Sequence, residues 1–172
     1  GSRHRVLNVP GEKEFEGKGV VYCSTCDAPI FAGKTVAVVG GGNAGLEAVV
    51  DLFPYARKIY LLEYGDALKG DPITQERIKN GSKPVEIIFN AQTEAVVGEK
   101  FVRGLRYKDR ISEETKELKL DGLFVAIGAT PNSAMVKDLV ELNTRGEVLI
   151  DSKTGKTSRE GIWAAGDVTD DP

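Results

Sequence analysis

The sequence predicts an α/β fold: a parallel sheet with helices, plus an antiparallel β-meander covering one face. Three observations carry that prediction. Thr35-Val36-Ala37-Val38-Val39 is a β-branched apolar run stopped by glycines, which suits a strand buried in a parallel sheet. Leu46, Val49, Val50 and Phe53 then recur at helical spacing up to Pro54, and Lys58-Ile59-Tyr60-Leu61-Leu62 reads as the next strand. Further on, residues 93–97, 101–108 and 116–120 are short runs with polar or charged connections, as antiparallel strands facing solvent require.

The strand-helix-strand order at 35–62 favours a right-handed crossover. Residues 73–80 form a plausible second helix closed by Asn80-Gly81, and residues 85–89 a third strand. Leu123-Phe124-Val125-Ala126-Ile127 is another buried-strand run. Before the first strand, residues 3–18 are rich in charge and glycine and read as a connector; Pro29 discourages a long helix over 23–31. The last segment carries turn signals but too few elements for a core of its own. These features divide the chain into three parts: a tag remnant (Gly1-Ser2) and connector over 1–8, a nucleotide-binding domain over 9–127, and an incomplete segment over 128–172.

At 172 residues the chain can bury about 70% of its unfolded surface as one domain. Its net charge of −3 comes from 23 basic and 26 acidic residues that are scattered along it, so no nucleic-acid footprint is present. No apolar run approaches the ~18 residues needed to span a membrane. Two cysteines in CxxC spacing, with no signal-peptide pattern, point to a reducing cytoplasm and to a redox or metal motif. A closed zinc site takes four ligands, and Cys23, Cys26 and the distant His4 cannot supply them, so no metal is expected unless two chains share it.

The glycine run Gly40-Gly41-Gly42-Asn43-Ala44-Gly45 follows a strand and opens a helix. In GxGxxG the first glycine permits a tight turn and the second lets backbone approach a pyrophosphate. The third allows close helix-strand packing, and the helix N-terminus faces the anion. Glu63 ends the next strand 21 residues after Gly42, near the ~20 expected for the acid that takes the ribose hydroxyls. A carboxylate there repels a 2′-phosphate, and Tyr64, Gly65 and Asp66 offer no arginine, so NADH is favoured over NADPH. A glycine turn followed by a surface glutamate is the plain alternative.

Cys23-Ser24-Thr25-Cys26-Asp27 supplies a vicinal dithiol, in which one thiol can attack and the other resolve. Asp27 is a candidate proton donor or acceptor for that exchange, or simply a helix N-terminal residue. The expected fold places this dithiol beside the nucleotide crevice.

Cys-Ser-Thr-Cys-Asp, the Gly-Gly-Gly-Asn loop, Leu-Phe-Val-Ala-Ile-Gly-Ala-Thr-Pro-Asn at 123–132 and Gly-Ile-Trp-Ala-Ala-Gly-Asp at 161–167 occur in that order. Over nearly all of residues 3–172 this resembles the low-molecular-weight thioredoxin reductase family, together with the flavoprotein subunit of alkyl hydroperoxide reductase. The resemblance implies a Rossmann-like FAD/NAD(P)-binding domain inserted into a flavin domain. It implies Cys23 as the outer thiol, Cys26 as the one facing the flavin, and Asp27 as the acid-base residue. Ile127 and Gly128 would join the glycine loop in cofactor binding, and Gly166 and Asp167 would bind FAD, although Asp167 could equally be a turn residue.

The implied reaction moves a hydride from NADH through FAD to the Cys23–Cys26 disulfide, and on to a thioredoxin-like or peroxiredoxin-type protein. The full-length parent is expected to be a homodimer. Usual thioredoxin reductases carry His-Arg-Arg where this chain has Glu63-Tyr64-Gly65; Leu-Leu-Glu and Asn90-Ala91-Gln92-Thr93 look more like the peroxide-reductase flavoprotein. The family's N-terminal flavin-binding glycine motif is missing, so the chain is expected to be an excised nicotinamide domain with its flanks, nearly inactive alone. The rival readings are a nucleotide-binding module without redox turnover and a zinc-bridged interaction module.

Overall fold

The computed structural model describes residues 1–81 and 84–171. Pro172, the end of the expected flavin-domain segment, lies outside the described residues. In chain order the strands and helices are β1 (Ser2–His4), β2 (Val20–Val21), α1 (Ser24–Asp27), β3 (Thr35–Val39), α2 (Asn43–Leu52), β4 (Lys58–Leu62) and α3 (Pro72–Lys79). They continue with β5 (Val85–Ile88), β6 (Ala91–Gly98), β7 (Val102–Asp109), β8 (Thr115–Lys119), β9 (Gly122–Val125) and β10 (Ala129–Pro131). The chain forms two units: residues 6–128, and residues 1–5 together with the segment from 129 onward.

In the larger unit a parallel sheet runs in the order β2-β9-β3-β4-β5, and an antiparallel meander runs β6-β7-β8. All five residues of β3 are buried, because both faces of the sheet are covered. Val36 and Val38 point to one face with Leu46, Val49, Leu52, Leu61 and Phe124, under α2. Ala37 and Val39 point to the other with Phe15, Val20, Leu105, Leu123 and Val125, under the meander. Each fully buried large aliphatic side chain contributes about 1.5–3 kcal/mol. Phe31 and Phe124 meet edge to face with ring centres 5.0 Å apart, and Gly122 is a glycine because a Cβ there would enter the Phe31 ring.

The strands and helices expected over this unit are present, with two local differences, in β9 and in residues 3–18. The 23–31 stretch divides as Pro29 requires: α1 has four residues and a 3₁₀ turn covers Ala28–Phe31. β9 stops at Val125; one more sheet bond, from Ala126 N–H to Val39 O, precedes the turn at Gly128 (φ 91°). Residues 3–18 are more than a connector. Phe15 is in the core, and the buried Glu12 accepts the backbone N–H groups of Leu7 and Asn8 at 2.8 and 2.7 Å. Neither residue belongs to a periodic pattern, so only tertiary contact reveals them.

In the smaller unit β1 pairs antiparallel with β10, from Ser2 opposite Pro131 to His4 opposite Ala129. Gly1 and Ser2, expected to be a tag remnant, are hydrogen-bonded into it: Asn132 N–H donates to Gly1 O at 3.0 Å. Beyond β10 the unit contains isolated bridges, such as Leu142 to Val148 and Lys156 to Trp163, together with turn hydrogen bonds such as Gly155 N–H to Asp151 O. Its buried apolar side chains among the described residues are Val140 and Val148.

Candidate functional site

The glycine loop leaves the carboxyl end of β3, the edge at which open α/β sheets bind ligands. Gly40 has φ 121°, and a side chain on it would strike the Ala126 carbonyl. Gly45 packs against the Gly40 carbonyl so closely that a Cβ has no space. Gly42, the residue before α2, has nothing among the described residues within 4 Å of a Cβ position. The first and third glycines are therefore required by the fold, whereas the second leaves a space open. Gly41 O accepts the N–H groups of Lys69 and Gly70 at 2.8 and 3.1 Å, and Asn43 Oδ1 accepts from Asp71 N–H at 2.7 Å, so the 69–71 segment braces the loop.

Glu63 is 7% exposed at the end of β4. Its Oε2 accepts Gly41 N–H at 2.7 Å and its Oε1 accepts Gly65 N–H at 2.8 Å. Each oxygen keeps a second acceptor position, so the carboxylate holds the loop and can still face a hydroxyl. Beside it, the cleft has a volume of about 740 Å³, in the range of ligand sites. The structure brings Gly40, Gly41, Gly42, Asn43, Ala44, Glu63, Ile127 and Gly128 together around it, with Gly45 behind the loop. Thr93 also lines the cleft, and its buried Oγ1 has no hydrogen-bond partner among the described residues. An open Gly42, a ten-residue helix starting at the loop and an orphaned hydroxyl fit a dinucleotide with its phosphates and sugars.

Sequence reasoning missed two cations, one lining the cleft and one stacked on its Tyr64. Lys69 lines the cleft, placed by its own backbone bond to Gly41. Arg110, from the turn after β7, lies over the Tyr64 ring at 3.9 Å and donates to Tyr64 O at 3.0 Å. No local signal could have found either residue, because the first depends on loop geometry and the second on strand pairing.

The dithiol is oxidised: Cys23 and Cys26 form a disulfide with Cα atoms 5.4 Å apart. Both cysteines are solvent-accessible, so burial does not rank one as the outer thiol. Cys23 Sγ accepts Cys26 N–H at 3.2 Å at the N-cap of α1. Asp27 is the last residue of α1 and makes no capping bond to the turn that follows. It lines a separate hollow of about 390 Å³ with Ile30, Lys34 and Phe101.

The dithiol is not beside the crevice as expected. β2, β9 and β3 are parallel neighbours, so the chain does leave β2 toward Cys23 at the same edge as the glycine loop. It then folds back, and Ser24 and Thr25 donate to Asp51 Oδ2 at 2.8 and 3.1 Å. Asp51 is in the last turn of α2, whereas Asn43 opens it; the eight-residue separation is about 12 Å of helix. Neither cysteine lines the cleft.

Tyr22, just before Cys23, donates to Glu12 at 3.2 Å. Burial, reinforced by the Glu12 charge, pushes its hydroxyl well above the usual range. Near Arg110, Asp109 is held down at about 2 by Lys116 and by the N–H groups of Ile111 and Ser112. In the smaller unit, Gly166 (φ 76°) has open space at its Cβ position, and Asp167 Oδ2 accepts from Ser2 Oγ at 3.3 Å.

No helix among the described residues is long and apolar enough to cross a membrane. Residues 1–172 match the family profile described as pyridine nucleotide-disulphide oxidoreductase. The chain is 47% identical over 173 residues to the F subunit of alkyl hydroperoxide reductase from Pseudomonas putida, covering 100% of this chain and 33% of that protein. It is 48% identical to the corresponding protein of Staphylococcus aureus strain MRSA252, covering 99% and 33%. The crystal structure of T. acidophilum thioredoxin reductase superposes with a TM-score of 0.87 at 40% identity, over 98% of this chain and 55% of that one. The chain thus spans about a third of the curated relatives and about half of the solved structure. With the full-length profile match and a parallel sheet that carries both the glycine loop and the disulfide, the chain belongs to the pyridine nucleotide-disulphide oxidoreductase family.

Proposed function

We propose that this chain is the nicotinamide-binding and disulfide-bearing part of a flavoprotein disulfide reductase that draws electrons from NADH. The carrying observation is one unit that holds a cleft fitted to a dinucleotide and a CxxC disulfide. Gly42 and the first turn of α2 would take the pyrophosphate, Glu63 the ribose hydroxyls, and Ile127 and Gly128 the opposite wall. Glu63 supports NADH over NADPH, since its carboxylate would face a 2′-phosphate at close range. Arg110 does not offset that charge for a ligand, because it is stacked on Tyr64 and does not line the cleft.

The separation of cleft and disulfide along α2 argues against direct hydride transfer between them within this unit. FAD in the longer protein would supply the two-electron step between nicotinamide and disulfide. Gly166, whose backbone is open to approach, and Asp167 are the residues proposed to hold it. Cys23 would exchange with the acceptor, a thioredoxin-like or peroxiredoxin-type protein, with Cys26 resolving and Asp27 managing the proton. The disulfide favours this reading over a zinc-bridged module, since paired sulfurs are not thiolate ligands.

Titration calorimetry on this chain tests the nucleotide half: NADH binds, and binds more tightly than NADPH. Equal affinity or a preference for NADPH overturns the cofactor assignment. Stopped-flow reduction of the flavin-loaded full-length protein, followed by trapping of a mixed disulfide with the acceptor, tests the redox half. Binding of NADH with an inert Cys23–Cys26 pair would instead favour a nucleotide-binding module.

A further inference from the structure

α1 has four residues and none is buried, so the hydrophobic core does not hold the turn between the cysteines. A single helical turn is also unstable by itself, because nucleation fixes several residues for one hydrogen bond. The core takes hold only afterwards, at Ala28 and Phe31. Among the described residues, one carboxylate ties the intervening dipeptide to the body of the unit: Ser24 Oγ and Thr25 Oγ1 both donate to Asp51 Oδ2, at 2.8 and 3.1 Å. Asp51 stands on α2, a ten-residue helix packed into the core through Leu46, Val49 and Leu52.

We propose that Asp51 is a positioning residue for the dithiol, holding the reduced Cys23-Ser24-Thr25-Cys26 turn in the geometry of its disulfide. This rests on the reading of Cys23–Cys26 as a redox pair and extends it to a residue outside the motif. In the oxidised chain the disulfide already closes the turn, so the Asp51 bonds form there without a further ordering cost and are worth most in that state. After reduction the covalent tie is gone, and the two hydroxyl bonds keep the thiols within reach of each other. Charge-assisted hydrogen bonds are the stronger kind, so one carboxylate serving two donors can hold a turn that propensity would not. Ordering the dithiol raises the effective concentration of one sulfur at the other, which favours reclosure. Asp51 therefore shifts the equilibrium toward the disulfide and makes the reduced protein a stronger donor.

The measurement is the equilibrium with glutathione, in which the disulfide and two glutathione thiols give the protein dithiol and glutathione disulfide. The protein gains two electrons and two protons. It needs no nucleotide, so it is independent of the cleft assignment. Asp51→Ala should shift the equilibrium toward the dithiol about tenfold, or ~30 mV for this two-electron couple. Asp51→Asn, which keeps an acceptor oxygen, should recover part of the shift.

The double variant Ser24→Ala, Thr25→Val removes the donors while leaving the charge, and should reproduce the Asp51→Ala shift. Adding Asp51→Ala to it should then change the equilibrium no further, the non-additivity expected of one interaction. Should Asp51→Ala fail to fold, the double variant at the motif carries the test alone. Equilibrium constants that match wild type in the double variant overturn the proposal, even if thermal stability falls. A wild-type pair that does not exchange with glutathione at all overturns the redox reading, and this proposal with it.

Discussion

The guanidinium of Arg110 lies 3.9 Å from the centre of the Tyr64 ring and donates to the Tyr64 carbonyl, across 46 residues of chain. Tyr64 follows Glu63, the acid just after β4, a place where an arginine beside the cleft would alter cofactor choice. Arg110 is held to that ring from behind: its own N–H bonds Asn90 O, and Asn90 N–H bonds Gly65 O. Arg110→Ala should lower stability by about 0.5–1 kcal/mol, the value of an exposed cation–π contact. It should leave NADH the tighter of the two nucleotides. Urea denaturation and calorimetry on the same variant check both, and a switch to NADPH would be incompatible with the role given to Glu63.

The three glycines of the loop separate fold from binding. Gly42→Ala meets no neighbour and its φ of −85° suits any residue, so the melting temperature should stay unchanged. NADH affinity should fall at least about tenfold, or ~1.4 kcal/mol, because the methyl group takes the space proposed for the pyrophosphate. Gly45→Ala should instead destabilise the chain by several kcal/mol, since its methyl group collides with the Gly40 carbonyl. Thermal melts and calorimetry on the two variants should give opposite patterns.

Glu63→Ala leaves the N–H groups of Gly41 and Gly65 without their acceptor. A stability loss of about 1–3 kcal/mol is expected from unsatisfied buried donors, together with weaker NADH binding. Glu63→Gln keeps one acceptor oxygen and should recover more of the stability than of the preference for NADH over NADPH. Denaturant unfolding and paired titrations distinguish the two effects.

In the reduced chain Cys23 is expected to be alkylated before Cys26. Both are solvent-accessible, but a thiolate at Cys23 keeps the Cys26 N–H as a donor at the N-cap. Substoichiometric iodoacetamide followed by peptide mass spectrometry reads the order. Label appearing first on Cys26 would reverse the roles of the two thiols.

Two titrations act in opposite directions. The fold favours neutral Tyr22, so its contribution is complete below the usual tyrosine value of about 10 and is lost as pH rises beyond it. Urea midpoints should therefore fall more steeply between pH 9 and about 11 for wild type than for Tyr22→Phe. Asp109, held down at about 2, contributes above the usual carboxylate range and stops contributing as pH falls through that value. Amide protection at Ile111 and Ser112 should follow that acid loss in hydrogen exchange.

Much of the fold is legible in the sequence because it is written in short-range pattern. β3, β4 and α2 announce themselves through a β-branched run, an apolar run and a 3.6-residue period. The glycines are legible for the same reason, since a tight turn, an open approach and close packing each exclude side chains at a fixed spacing. The cysteine pair is legible from chemistry alone.

Tertiary structure decided which residues meet. Asp51 is an ordinary helical aspartate in sequence, yet it holds the two hydroxyls between the cysteines. Arg110 reaches Tyr64 only because the meander pairs in one register, and Glu12 and Phe15 are buried in a stretch that reads as a charged connector. The dithiol stands farther from the cleft than the sequence suggests, because strand order fixes only where the chain leaves the sheet. Where it goes next depends on the hydrogen bonds to Asp51 and the packing of Phe31, interactions between residues far apart in sequence that no local periodicity encodes.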